Sequence, residues 1–92
     1  MLKHSHSNQG FRRELVKVLE RAAKSGELDD FLDYILSPAE FQEISLRLQA
    51  GESLLKGETQ RRIAERLGMG IMTVSRCARA LNEHRKTIEK LL

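Results

Sequence analysis

Tryptophan is absent from these 92 residues, and three phenylalanines and one tyrosine make up the whole aromatic complement. A core with so few rings must be built mainly from Leu, Ile, Val and Ala, which suits helix-on-helix packing better than a sheet. The single cysteine, Cys77, excludes an intrachain disulfide and, with it, zinc fingers and zinc ribbons. A lone thiol is easiest to keep in a reducing cytosol, so a cytoplasmic location is expected. No apolar run approaches the length that crosses a bilayer, and no signal-peptide core follows Met1, so no membrane partner is expected. Catalytic signatures are missing too. There is no HExxH, no phosphate-binding loop and no nucleophile elbow, and Cys77 with His84 reads as a half-buried thiol and a surface histidine rather than a nucleophile and base. The expectation is a protein that is not an enzyme and holds no metal. His4 and His6 lie in a polar stretch without periodicity and carry no metal reading.

The composition that is present is 40% hydrophobic and 32% charged, the balance of a folded globular chain. Ninety-two residues suffice for one domain with a modest core, which a second subunit sharing that core would help. The net charge of +3 hides an asymmetry. Residues 1–58 hold 8 Lys and Arg against 10 Asp and Glu, a net of −2, whereas residues 59–86 hold 7 against 2, a net of +5. A basic segment on a mildly acidic body is the electrostatic footprint of a nucleic-acid reader, although ordinary solvated helix faces also carry such charges.

Residues 1–10 are expected to form a mobile tail, with residues 11–92 a single helical domain. Phe11, Leu15, Val18, Leu19 and Ala22 fall at helical spacing, and Gly26 ends that helix. Leu28, Phe31, Leu32, Ile35 and Leu36 repeat the pattern in a short second helix. Ser37-Pro38-Ala39-Glu40 then reads as a capping box with proline in the first turn. Phe41, Ile44, Leu48 and Leu55 continue one apolar stripe, interrupted at Gly51, where either another backbone approaches or a ligand takes the missing side-chain volume. Gly57 closes the third helix, a helix pair occupies about 59–81, and a last helix runs from about Glu83 to Leu92. The fold class is therefore all-α, with six short helices.

The pair at 59–81 has the spacing of a helix-turn-helix. Two helices crossing through a tight turn require a small residue where they cross, a glycine at the turn and a β-branched anchor in the second helix. Ala64, Gly68 and Val74 meet those three demands, with Ile63, Leu67 and Met69 around them. Thr59 is the expected N-cap of the first helix, and Gln60, Arg61 and Arg62 lie at an end that favours phosphate. The recognition helix begins near Gly70. Ile71 and Met72 form an apolar tip suited to thymine methyl groups, Thr73 and Ser75 are placed for phosphates or base edges, and Arg79 for either.

These residues resemble the tryptophan repressor family. The matching stretch runs from about Leu36 to Leu81, through Leu36-Ser37-Pro38-Ala39-Glu40, Arg47, Leu54-Leu55-Lys56-Gly57-Glu58, Gln60-Arg61 and Leu67-Gly68-Met69-Gly70-Ile71-Met72-Thr73-Val74-Ser75-Arg76. Its most specific part is Gly-x-Gly-Ile-x-Thr-x-Ser-Arg. The resemblance implies an intertwined homodimer whose two reading heads meet successive major grooves of a palindromic DNA operator. It also implies a corepressor, L-tryptophan or a related molecule, with its ring between Arg47 and Arg76 and its ammonium on the backbone carbonyls of Tyr34, Leu36 and Ser37. Such an arrangement is chemically sensible, because guanidinium pairs with carboxylate and stacks on rings, while helix C-termini favour cations.

The departures from the family fall in that ligand pocket. Cys77 stands where the family has glycine, Ala50 and Gly51 replace larger aliphatic residues, and one residue is missing between Glu58 and Thr59. These changes compensate one another, select another ligand, or mark a repressor that uses none. The expected function is a dimeric, sequence-specific transcriptional repressor gated by a small amino-acid-like effector. The alternative is a ligand-independent helix-turn-helix module of the transposase or replication-factor type.

Overall fold

The computed structural model describes residues 4–92, with side chains from Asn8 onward. Six helices follow in order: α1 His4–Ser25, α2 Leu28–Ile35, α3 Pro38–Leu55, α4 Gln60–Leu67, α5 Ile71–Glu83 and α6 Arg85–Leu91. There is no strand among the described residues. The all-α, six-helix architecture expected from the periodicity is the one observed. No helix of the described residues is long and apolar enough to cross a membrane.

The chain divides into two compact units, Met1–Pro38 and Ala39–Leu92. In the first, α1 and α2 pack on each other, and the Phe31 and Tyr34 rings lie 6.1 Å apart at 41°. No side chain of this unit is buried among the described residues. Helix α1 begins at His4, several residues before the expected start at Phe11. An apolar period reports which residues pack, not which are helical. Residues 4–10 contain no proline, so the backbone hydrogen bonding of α1 can run ahead of the first apolar residue of the period, Phe11. The expected tail therefore overlaps α1, and residues 1–3, like the side chains of His4 and His6, lie outside the described residues.

The second unit has its own core. Ala50 of α3, Ile63 of α4 and Val74 of α5 are fully withdrawn from solvent, and Leu54, Ala64, Leu67, Met69 and Cys77 pack around them. The link from α3 to α4 is closed by Gly57 at φ 90°, a left-handed conformation open to glycine at little cost. Gly57 N–H donates to the Leu54 carbonyl and Glu58 N–H to the Ser53 carbonyl, so the last carbonyls of α3 are satisfied by a Schellman turn. Helix α5 runs to Glu83, two residues past its expected end. His84 then caps both neighbours, donating to the Ala80 and Leu81 carbonyls and accepting from Ile88 N–H.

Candidate nucleic-acid interface

The reading head is assembled by two caps and one seam. Thr59 adopts an extended conformation and its hydroxyl accepts from Arg62 N–H at 3.2 Å, which makes it the N-cap of α4. At the far end, Gly68 turns the chain with φ 67°, where a side chain would be strained, and both Gly68 and Met69 N–H donate to the Ala64 carbonyl. Gly70 then serves as the N-cap of α5. The seam between α4 and α5 is the contact of Ile63 with Val74, flanked by Ala64. The Ala64, Gly68 and Val74 spacing thus describes a real crossing of two short helices.

Outside the seam the head presents a mixed polar and apolar surface. Ile71 and Met72 stand exposed at the start of α5, Met72 at 67%. Arg61, Arg62, Arg76 and Arg79 are also exposed. Ser75 donates to the Gln60 side-chain carbonyl at 2.7 Å, tying the two helices together on the outer side. That bond occupies Gln60 Oε1 and leaves its amide N–H groups as donors, which is the polarity a phosphate or an acceptor base edge requires. Thr73 is a different case. It is half-buried and shares the opposite face of α5 with Arg76, Cys77 and Ala80, at i, i+3, i+4 and i+7, so it faces a groove rather than the exposed tip formed by Ile71 and Met72.

That groove has a volume of about 580 Å³ and is lined wholly by the second unit. Leu48 and Gly51 of α3, Cys77 and Leu81 of α5, Ile88 of α6 and Leu92 just after it form apolar walls, with Arg47 and Arg76 among the lining side chains. Arg47 is held by Glu43 at 3.3 Å, while Arg76 has no acidic partner among the described residues. A carboxylate attached to an apolar body matches this combination of lining groups. Gly51 lies against the groove, and a β-carbon built there would meet the Leu92 side chain at 3.7 Å. Ala50 does not belong to the wall. Expected to widen a ligand cavity, it is instead turned into the core against Ile63 and Val74, because the 100° step between consecutive helical residues sends Ala50 and Gly51 to different faces. Tyr34, Leu36 and Ser37 belong to the first unit; Tyr34 is 83% exposed and Leu36 N–H caps α2 by donating to the Leu32 carbonyl.

One constellation has no sequence signal. Glu58 accepts from Arg66 twice, at 2.8 and 3.0 Å, while the same guanidinium donates at 2.6 Å to the hydroxyl of buried Ser53. Arg62 adds a weaker contact to Glu58 at 3.8 Å. Hydrogen bonding from Arg66 holds the Glu58 carboxyl below the usual carboxylate range despite an opposing desolvation, and Glu58 in turn raises Arg66. Arg66 sits 8 residues from Glu58 and 13 from Ser53, so no short motif could announce the cluster.

With this geometry in hand, comparison with known proteins is decisive. The profile of the family described as Trp repressor protein matches residues 12–92. The chain belongs to the Trp repressor family. Trp operon repressor homologs resemble it at moderate identity. One from Aliivibrio fischeri strain MJ11 is 29% identical over 72 residues, covering 77% of this chain and 67% of the relative. One from Vibrio parahaemolyticus is 31% identical over 65 residues, 70% of this chain and 63% of the relative, and one from Vibrio campbellii is 28% identical over 76 residues, 82% and 76%. The Trp repressor family is a regulatory one of DNA-binding transcriptional repressors, and α4 and α5 of this member form its helix-turn-helix.

Proposed function

We propose that the protein represses transcription as a homodimer on a palindromic operator, with a small amino-acid-like effector, L-tryptophan being the first to test, controlling its affinity. The observation that carries the effector reading is the groove behind α5, where two arginines meet apolar walls on helices that also bear the reading head. In this reading Thr59, Gln60, Arg61 and Arg62 hold phosphates, while Gly70, Ile71, Met72, Ser75 and Arg79 approach the bases. Arg47 and Arg76 flank the effector in the groove of the second unit. Occupancy shifts the head between orientations and adds no DNA contact of its own.

Dimerisation is supported by the apolar side chains left in solvent, among them Phe11, Leu15, Val16 and Ile35 of the first unit and Ile44, Leu48 and Leu91 of the second. Leu92 favours the second reading, a ligand-independent repressor, because its side chain stands over Gly51, where larger effector volume would otherwise be available. Affinity for a duplex selected from a random pool, measured with and without L-tryptophan, separates the two. Tightening of at least about fivefold, roughly 1 kcal/mol of coupling, is expected for an effector. Unchanged affinity across millimolar tryptophan removes tryptophan from the account and leaves DNA binding standing.

A further inference from the structure

We infer that Ser53, Glu58 and Arg66 form a clamp that positions the reading head on α3, so that Arg66, although part of the basic segment, serves DNA binding by orientation and not by contact. The inference rests on α4 and α5 being the DNA-reading head.

Between α3 and α4 the chain passes only Lys56, Gly57, Glu58 and Thr59, with Gly57 in a left-handed conformation. So short a link with a glycine in it fixes where α4 starts but not the direction in which it leaves. Direction needs further attachment along α4: Ile63 supplies an apolar one in the core, and Arg66 adds a polar one in the last turn of that helix. Its guanidinium binds Ser53 on α3 and Glu58 in the link at the same time. Glu58 N–H also donates to the Ser53 carbonyl, which joins the link to α3 through the backbone. Arg66 thus finds both of its partners in the set, while Glu58 keeps only a weaker contact outside it, to Arg62.

An isolated surface ion pair would deserve little weight. This one differs because the guanidinium bonds both oxygens of the carboxylate and also a hydroxyl that is 7% exposed. Burying a serine on the inner side of α3 costs free energy unless its hydroxyl is bonded, so the site is built around the bond. The clamp lies directly before Thr59 and Gln60, whose placement depends on how α4 leaves α3. A head free to swing would have to lose that freedom on the DNA, which weakens specific binding more than non-specific binding.

The test exploits opposed signs. Glu58→Gln removes a negative charge beside Arg62, so electrostatics alone makes every duplex bind more tightly. The clamp predicts weaker binding to the duplex selected by the wild-type protein, by about fivefold to tenfold, with binding to an unrelated duplex unchanged or tighter. Ser53→Ala changes no charge and favours helix α3, yet should lower the ratio of selected to unrelated affinity in the same direction. Glu58→Asp, which keeps the charge on a shorter side chain, should recover part of the loss. Circular dichroism and melting check that each variant is folded, and Ser53→Ala decides the matter if Glu58→Gln is not. A selected-duplex affinity in folded Glu58→Gln or Ser53→Ala equal to or tighter than wild type overturns the clamp while leaving the reading head in place. If wild type selects no duplex at all, the reading head fails, and the clamp with it.

Discussion

Residues Ala39–Leu92 withdraw Ala50, Ile63 and Val74 completely from solvent, whereas Met1–Pro38 buries no described side chain and leaves Phe11, Leu15, Val16 and Tyr34 largely in water. Both units are helical and both carry apolar stripes, so the difference lies in packing and not in secondary structure. Three elements meeting through small and β-branched residues enclose a core, even a small one. Two helices side by side leave the far side of each stripe uncovered, and between them runs an open groove lined by residues such as Val18, Ala22, Phe31 and Tyr34. A helix pair with no buried side chain has little core of its own, so the first unit needs a covering surface in a way the reading head does not.

The contrast can be broken most sharply in the head. Ile63→Ala removes a fully buried side chain from the seam and should cost about 2–4 kcal/mol, measured as a shift of the urea midpoint at constant slope. A loss below about 0.5 kcal/mol would mean that this core is not the one that holds the unit together. In the first unit the equivalent experiment reads association. Phe11 is 68% exposed, so Phe11→Ala should hardly alter a lone chain. Where a second copy covers the face, the same change should weaken the dimer by about tenfold or more, read by sedimentation equilibrium. Equal sedimentation of wild type and variant as monomers would show that the face stays open.

A smaller effect belongs to the clamp. The Glu58 carboxyl is held below its ordinary range in the folded protein, so its contribution to stability is present above the unfolded value and disappears as pH falls through the folded one. Wild type should therefore melt above Glu58→Gln at neutral pH, with the gap closing as the solution is acidified through and below the carboxylate range. A gap that stays constant with pH would assign the difference to something other than the charge.

Most of the fold was legible because short helices announce their limits. Gly26, Pro38, Gly57 and Gly68 each mark a boundary by a backbone property of the residue itself, Thr59 marks one by its capping hydroxyl, and the crossing of α4 and α5 needs only local spacing. What was illegible depends on distance or direction. The extent of α1 toward His4 leaves no trace because the apolar period of the sequence begins only at Phe11. Ala50 and Gly51 are adjacent in sequence but point to core and groove, and Thr73 differs from Ser75 only by which side of α5 it occupies. Arg66 reads as one more charge in a basic segment, and only the approach of α3 shows that it is already engaged.

The central claim is that the exposed end of α4 holds DNA phosphates, and the salt dependence of binding tests it most directly. Affinity for a selected duplex, followed by fluorescence anisotropy over a range of salt, should fall linearly on logarithmic axes for wild type. Arg61→Ala should bind more weakly to all duplexes alike and reduce that slope by about one. An Arg61→Ala variant with unchanged affinity and unchanged slope would contradict the placement of DNA on this face.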